Sequence, residues 1–258
     1  MAATDFEVRE ITTKDEFARL NDVLWAANFH PYEPAFIIFH AVNGHTAEDR
    51  AKDKATDTDL QWTKHEQTPG SHYIYAIEKS TGRVVGGCEW IFYHSNPFPN
   101  GPSTVPCTWY PAGSERAEYA SHVATQFIRP RQHWFQRPHA GVNRMGVHPE
   151  FRRRGIGRLL MQWGHERVDA LGYETFIESG PLGRWLFEGC GYVRVMGLHI
   201  DCERKNPSEE WERLVHECRP PGILLLWRPP TGVLDESVSE GPWAVTDDTW
   251  KWPAFLHS

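Results

Sequence analysis

Apolar and charged residues alternate along Phe6-Glu-Val-Arg-Glu-Ile11, the period-two pattern of a strand with one buried face. Thr13-Lys-Asp-Glu16 then spells a capping box, and Phe17, Leu20, Leu24 and Ala27 recur behind it at helical spacing. Residues 34–66 predict one or two helices with a charged face, and the run Ala47-Glu-Asp-Arg-Ala-Lys-Asp-Lys54 is expected to be solvated. Pro69-Gly70 ends that stretch. His72–Glu78 and Arg83–Tyr93 read as strands joined by the turn Lys79-Ser-Thr-Gly82. Proline and glycine crowd residues 95–114, which predicts a long loop, and long loops in compact domains are often functional.

A helix is expected over 115–135 and a strand over Val142–Val147, stopped by Pro149. Gly155–Leu171 predicts an amphipathic helix with Ile156, Leu159, Leu160, Trp163 and Leu171 on one face. Glu174–Ser179, Tyr192–Cys202 and Gly222–Trp227 read as further strands, and Gly183–Cys190 as a short helix ended by Gly191. No internal repeat and no mid-chain linker interrupts the pattern. It predicts one mixed α/β domain over 1–228 with a long insertion at about 95–138, and a Pro- and Trp-rich extension, 229–258, packed on the surface.

The chain of 258 residues, 40% hydrophobic and 24% charged, can bury a core without staples and is too apolar for a disordered class. No apolar run approaches the roughly 20 residues of a membrane helix. The N-terminus is neither basic nor apolar, so no signal peptide is expected. Five widely spaced cysteines argue against a disulfide framework and for reduced thiols in a cytoplasm. Despite 14 histidines there is no Cys-x-x-Cys or His-x-x-x-His spacing, and no metal is expected. A net charge of −7 speaks against a general nucleic-acid binder, since phosphate contacts dominate that affinity. Against that background, Arg144, Arg152, Arg153, Arg154 and Arg158 stand with Glu150 as the one acid between them, an excess that calls for an anionic ligand.

The chemistry concentrates in Met145-Gly-Val-His-Pro-Glu-Phe-Arg-Arg-Arg-Gly-Ile-Gly-Arg158, which runs strand, turn, glycine-rich loop, helix. The first N–H groups of a helix have no intrahelical partner and lie at the positive end of its dipole. Gly155 and Gly157 lack a Cβ and let an anion reach those amides, and the arginines add charge, which together make a pyrophosphate cradle. The Gly-x-x-x-x-Gly-Lys-[Ser/Thr] spacing of a P-loop is absent, and Gly155-Ile-Gly157 lacks the third glycine of a dinucleotide fold.

Arg152-Arg-Arg-Gly155-Ile-Gly157 resembles the Arg/Gln-x-x-Gly-x-Gly/Ala signature of the GNAT superfamily of N-acetyltransferases, and Leu186-Phe-Glu-Gly-Cys-Gly-Tyr192 resembles its Leu-Tyr-x-x-x-Gly-Phe motif. The likeness is strong over 142–195, extends from Phe6 to Arg228, and in its detailed spelling looks most like fungal members. It implies a GNAT-like α/β fold: a mixed, mostly antiparallel sheet of about six to seven strands, flanked by helices, whose parallel fourth and fifth strands, 142–147 and 174–179, splay apart. It implies acetyl-CoA as co-substrate, with pantetheine along the backbone of Met145, Gly146 and Val147 and pyrophosphate on Arg152, Arg153, Arg154, Gly155, Ile156, Gly157 and Arg158. A backbone N–H near Met145 would face the oxyanion as an amine attacks the thioester directly. Phe187 stands by the cofactor where many members carry the tyrosine that protonates the departing thiolate, and phenylalanine has no proton to give.

Two acids are candidate general bases. Glu178 lies at the end of the fifth strand, where burial disfavours charge; the alternative there is a structural pair with an arginine. Glu89 lies in Gly86-Gly-Cys-Glu-Trp90 on the third strand. Trp90, Trp109 and Tyr110 around the 95–114 insertion are expected to line an acceptor pocket suited to a cationic or aryl amine. The expected function is N-acetyl transfer from acetyl-CoA to the amine of a small molecule by a cytoplasmic monomer or homodimer with no nucleic-acid or membrane partner. The rivals are a protein or peptide acetyltransferase and a non-catalytic acyl-CoA-binding module.

Overall fold

The computed structural model describes residues 3–234, apart from 35, 45 and 221, together with Gly241. In chain order the elements are β1 (Phe6–Glu10), α1 (Lys14–Phe29), α2 (Phe36–Phe39), α3 (Ala47–Gln67), β2 (Ser71–Glu78), β3 (Val84–Tyr93) and α4 (Glu115–Trp134). They continue as β4 (His139–Val147), α5 (Ile156–Leu171), β5 (Glu174–Ser179), α6 (Arg184–Glu188), β6 (Val193–Leu198), α7 (Glu209–Cys218) and β7 (Ile223–Arg228). The seven strands take the order β1-β2-β3-β4-β5-β7-β6. The chain divides into two compact units, Met1–Phe92 with Ala140–Leu171, and Tyr93–His139 with Gly172–Ser258.

In the first unit β1, β2 and β3 pair antiparallel, with Phe6 opposite Glu78 and Tyr73 opposite Glu89. The capping box forms as the sequence spells it: Thr13 accepts from the Glu16 amide and the Glu16 carboxylate accepts from the Thr13 amide. The helix it starts buries Phe17, Leu20, Val23 and Leu24 with Tyr73, Tyr75, Ile77 and Val84 of the strands. Two glycines of β3 set how closely the layers approach. A Cβ on Gly87 would overlap the Leu20 side chain of α1, and one on Gly86 would press on Ile156 of α5 and on Val147.

The charged run 47–54 is mostly solvated as expected, with Ala47, Glu48, Ala51 and Lys52 exposed, but two acids of α3 are not. Asp53 is buried and accepts from the Asn43 and Gly44 amides and the Asn43 side chain, at 2.6 to 3.2 Å. Asp57 is buried too, accepting from Trp25 Nε1 at 2.9 Å, Asn21 at 3.1 Å and Gln61 at 3.0 Å, with His40 Nδ1 at 3.0 Å. Burial opposes its charge, but His40 and these donors outweigh that and hold the carboxyl well below its usual range. These acids organise the turn into α3 and its packing on α1.

In the second unit β7 pairs antiparallel with both β5 and β6, placing Glu178 opposite Leu225 and Leu198 opposite Ile223. The loop 95–114 is irregular and tied to α4: the amides of Ser103, Val105 and Cys107 donate to Gln132, Thr125 and Ser121 at 2.9 to 3.2 Å. Helix α7 has no counterpart in the sequence reading. Ser208 caps it on the Trp211 amide at 3.1 Å, and the Trp211 indole N–H donates to the Cys202 carbonyl at 3.0 Å. Of the extension, Pro230–Gly232 forms a 3-10 turn, and the expected surface packing of 235–258 lies, Gly241 aside, outside the described residues. Among the described residues no helix is long and apolar enough to cross a membrane.

Candidate active site

β4 delivers the chain to a short turn, Pro149–Phe151, and then to the start of α5. Phe151 is buried edge-on to Phe6, with the guanidinium of Arg83 4.9 Å and that of Arg154 4.8 Å from its ring centre. Glu150 is paired with Arg83 at 2.9 Å. Arg153 and Gly155 both take positive φ, +64° and +85°, which folds the backbone sharply into the helix.

The start of α5 differs in kind from those of α1, α3, α4 and α7. Each of those has a Thr or Ser accepting an amide and an acid in its first turn. α5 has no acid in its first turn, and the first bond into it is Leu159 N–H to the Gly155 carbonyl at 3.2 Å. The amides of Ile156, Gly157 and Arg158 lie ahead of that bond without an intrahelical acceptor. Gly155, Arg153 and Arg158 are exposed beside them. This donor set fits a pyrophosphate: amides without an intrahelical acceptor at the positive end of a dipole, no acid in the first turn, and guanidinium groups at the rim.

Arg152 stands apart from its neighbours. Its guanidinium donates to the Ala27 carbonyl of α1 at 2.8 Å and the Val147 carbonyl at 3.3 Å, pinning the turn to the core. Arg152→Ala is therefore expected to lower stability by about 1–2 kcal/mol through its lost hydrogen bonds. Arg153→Ala and Arg158→Ala should leave the melting temperature unmoved, and thermal melts of the three variants check this.

Upstream, Gly146 is buried, and a Cβ there would meet Leu24 and Ala27 of α1 at 3.0 to 3.1 Å; Met145 and Val147 on either side are half-buried. Arg144 has φ +48° in mid-strand, which breaks the alternation of β4. Its Nη1 donates to Glu89 Oε2 at 2.8 Å and to the Tyr73 hydroxyl. Glu89, 4% exposed, also accepts from Ser71 Oγ at 2.7 Å and Asn143 Nδ2 at 3.3 Å. Ser71 Oγ lies in turn 2.8 Å from Nδ1 of half-buried His65. Burial pushes the Tyr73 phenol far above its usual range, so it stays neutral beside Arg144. The sequence flagged Glu89 but none of Ser71, His65 or Tyr73, which reach it through strand register and the α3–β2 turn.

In the second unit Glu178 has the company of an arginine. Arg131 of α4 binds both carboxylate oxygens, Nε to Oε1 at 3.0 Å and Nη2 to Oε2, with the Glu178 side chain 1% and the Arg131 side chain 9% exposed. Phe187 is buried edge-on to Tyr192, whose hydroxyl accepts from Thr175 at 2.9 Å. Phe187→Tyr would add a hydroxyl in this packed setting. A thiolate whose conjugate acid titrates near 8.5 already leaves acceptably at pH 7–8. The variant is expected to change kcat by less than about tenfold, below the usual span for a positioned acid, as steady-state thiol release would show.

Trp90 does not belong to an acceptor pocket. It is fully buried under α5, its indole N–H donates to the Leu160 carbonyl at 3.2 Å, and its ring fills the space a Cβ on Gly164 would need. Tyr110 is buried against Arg116, and its ring centre lies 6.4 Å from that of Trp109. Among the described residues no group of three or more His, Cys, Asp or Glu is placed to hold a metal ion.

Residues 117–194 match the family model described as an acetyltransferase (GNAT) domain. No curated protein matches the chain by sequence. Three solved structures share its fold at low identity. A polyamine N-acetyltransferase of Drosophila melanogaster that forms N-acetylagmatine superposes with TM-score 0.57 at 17% identity, over 87% of this chain and all of its own. A mosquito arylalkylamine N-acetyltransferase-like 5b gives 0.53 at 14% identity, over 87% of this chain and 99% of its own. A protein of Corynebacterium glutamicum described as histone acetyltransferase HPA2 and related acetyltransferase gives 0.52 at 17% identity, over 88% of this chain and 97% of its own. The fold is thus the mixed α/β GNAT fold.

Proposed function

We propose that the protein is an acetyl-CoA-dependent N-acetyltransferase acting on the amine of a small molecule. The observation that carries this reading is the start of α5, which has no acid in its first turn and is fronted by Gly155 at φ +85°. The match over 117–194 covers that start, one structural neighbour is a polyamine N-acetyltransferase, and another is named as arylalkylamine N-acetyltransferase-like.

Acetyl-CoA supplies the activated thioester. The amides of Ile156, Gly157 and Arg158 hold its pyrophosphate, Arg153 and Arg158 add charge at the rim, and the backbone of Met145 and Val147 aligns the pantetheine arm. The chain must also free the nucleophile. An alkylammonium with a pKa near 10.4 is neutral in only about one molecule in 2,500 at pH 7. Glu89 takes that proton: it is a buried carboxylate in the same unit as the cradle, beside the left-handed break in β4. Glu178 instead holds Arg131, as a structural pair.

The test is direct. Incubation with acetyl-CoA and a panel of polyamines, aryl alkylamines and lysine peptides, followed by product mass spectrometry and thiol release, should give a mono-acetylated small amine. Acetylation of peptides alone would move the assignment to a protein acetyltransferase. Binding of acetyl-CoA without any transfer would leave a binding module.

A further inference from the structure

While the acceptor and its product cover Glu89, a proton it has taken has no direct way to water, because the carboxylate is 4% exposed among Tyr73, Asn143 and Arg144. Its other oxygen faces Ser71 Oγ at 2.7 Å, and Ser71 Oγ faces His65 Nδ1 at 2.8 Å. His65 sits in the last turn of α3, half-buried, against Trp62 and Tyr73 with ring centres at 5.0 and 5.3 Å. Buried carboxylate, hydroxyl and imidazole at the edge of the solvent thus form an unbroken chain of hydrogen-bonding groups within one compact unit.

We infer that Ser71 and His65 are a proton relay that returns Glu89 to its charged form after each turnover. The inference rests on the acetyltransferase reading above. An N–H bond of the substrate ammonium breaks and an O–H bond forms on Glu89. Ser71 donates its single hydrogen to the charged carboxylate and so accepts from the His65 Nδ1–H. Once the ring has exchanged to its Nε2–H tautomer through water, Ser71 turns to the bare Nδ1, and the Nε2 proton is the one later released. The Glu89 O–H bond breaks as a new one forms on Ser71 Oγ, the original Ser71 O–H breaks as an N–H forms on Nδ1, and the imidazolium gives a proton to water. One proton leaves the amine, one reaches solvent, and every relay member ends as it began.

The groups around His65 suit that task. Glu89 from β3, Glu66 on its own helix and Glu10 of β1 favour its charged form, while burial and His72 of β2 oppose it. Burial is the largest of these and pushes the imidazole below its ordinary value, so at pH 7 the ring is neutral and ready to accept. Below its folded pKa the ring already carries the proton, and turnover should fall on the acid side.

The experiment uses the full chain and an alkylamine acceptor from the panel. His65→Ala is expected to lower kcat at least tenfold, more in dilute buffer, with the acetyl-CoA dissociation constant unchanged and activity restored by added imidazole. Ser71→Ala should lose a similar factor without imidazole rescue, and Ser71→Thr, which keeps the hydroxyl, should retain most of it. His65→Ala that keeps full kcat at every pH and buffer concentration overturns the relay, as does a loss that imidazole cannot restore in a normally melting variant. Should wild type acetylate none of the amines, both the functional reading and the relay fall; transfer by wild type with an indifferent His65→Ala removes the relay alone.

Discussion

Gly157→Glu is expected to abolish acetyl-CoA binding while leaving the fold as stable as before or more so. Gly157 is the second residue of α5, in ordinary helical backbone, so a side chain there carries none of the strain that Gly155 would suffer at φ +85°. Replacing a helical glycine with glutamate gains intrinsic propensity, and an acid in the first turn gains about 0.3–1 kcal/mol more from the dipole. The melting temperature should therefore hold or rise. The same carboxylate occupies the place the pyrophosphate needs. Two unit charges about 5 Å apart repel by roughly 3 kcal/mol at an effective dielectric of 20, a few hundredfold in affinity, before any steric clash is counted. Gly157→Gln, alike in size and uncharged, should lose less. Calorimetry of the three proteins at two salt concentrations decides it, since wild-type binding should also weaken with ionic strength. Unchanged affinity in Gly157→Glu would remove the basis for placing the cofactor on α5.

The cradle was legible in the sequence because everything it needs is local. Bare amides, glycines and clustered arginines all fall within Arg152–Arg158, and only the strand before and helix after must form. Even there, sequence could not separate Arg152 from its neighbours, because its task depends on the Ala27 carbonyl, 125 residues away. The acid sites were half legible. Glu89 and Glu178 stand out as acids inside apolar strands, but their partners come from elsewhere. Ser71 reaches Glu89 through the β2–β3 register, Arg144 through a left-handed residue in β4, and Arg131 reaches Glu178 from a helix 47 positions upstream. Trp90 was misplaced for a similar reason: Gly164, on a later helix, makes the notch that buries it. The charged stretch before β2 is mostly solvated as expected, yet it hides two buried acids, because Asp53 and Asp57 find donors in a loop and in α1. α7 is another matter. Ser208-Glu-Glu-Trp211, with Leu214 and Cys218 at helical spacing, spells a capped amphipathic helix that the periodicity could have identified.

Glu89→Gln and Glu178→Gln should fail in different ways, and the contrast identifies the base. Neutralising Glu178 leaves Arg131 as a buried cation without its counter-charge, a change worth about 3–5 kcal/mol when one partner of a buried pair is lost. For a chain of this size that lowers the melting temperature by on the order of 10 °C. Glu178→Gln combined with Arg131→Met removes both charges and should recover most of the loss, which a structural role requires. Glu89→Gln spares stability more, because Arg144 is 22% exposed and can reach water. Its cost falls on turnover: kcat should drop about 10²–10⁴-fold at pH 7, with acetyl-CoA affinity intact. The deficit has a definite pH dependence. As pH rises from 7 toward the ammonium pKa near 10.4, the neutral amine becomes about tenfold more abundant per unit, so the variant should close on wild type in alkaline buffer. A loss that persists undiminished at pH 9–10 would mean that Glu89 places the substrate rather than deprotonating it. Finally, if Glu178→Gln melts like wild type and is dead while Glu89→Gln turns over normally, the two acids exchange roles, and the proton leaves from the second unit.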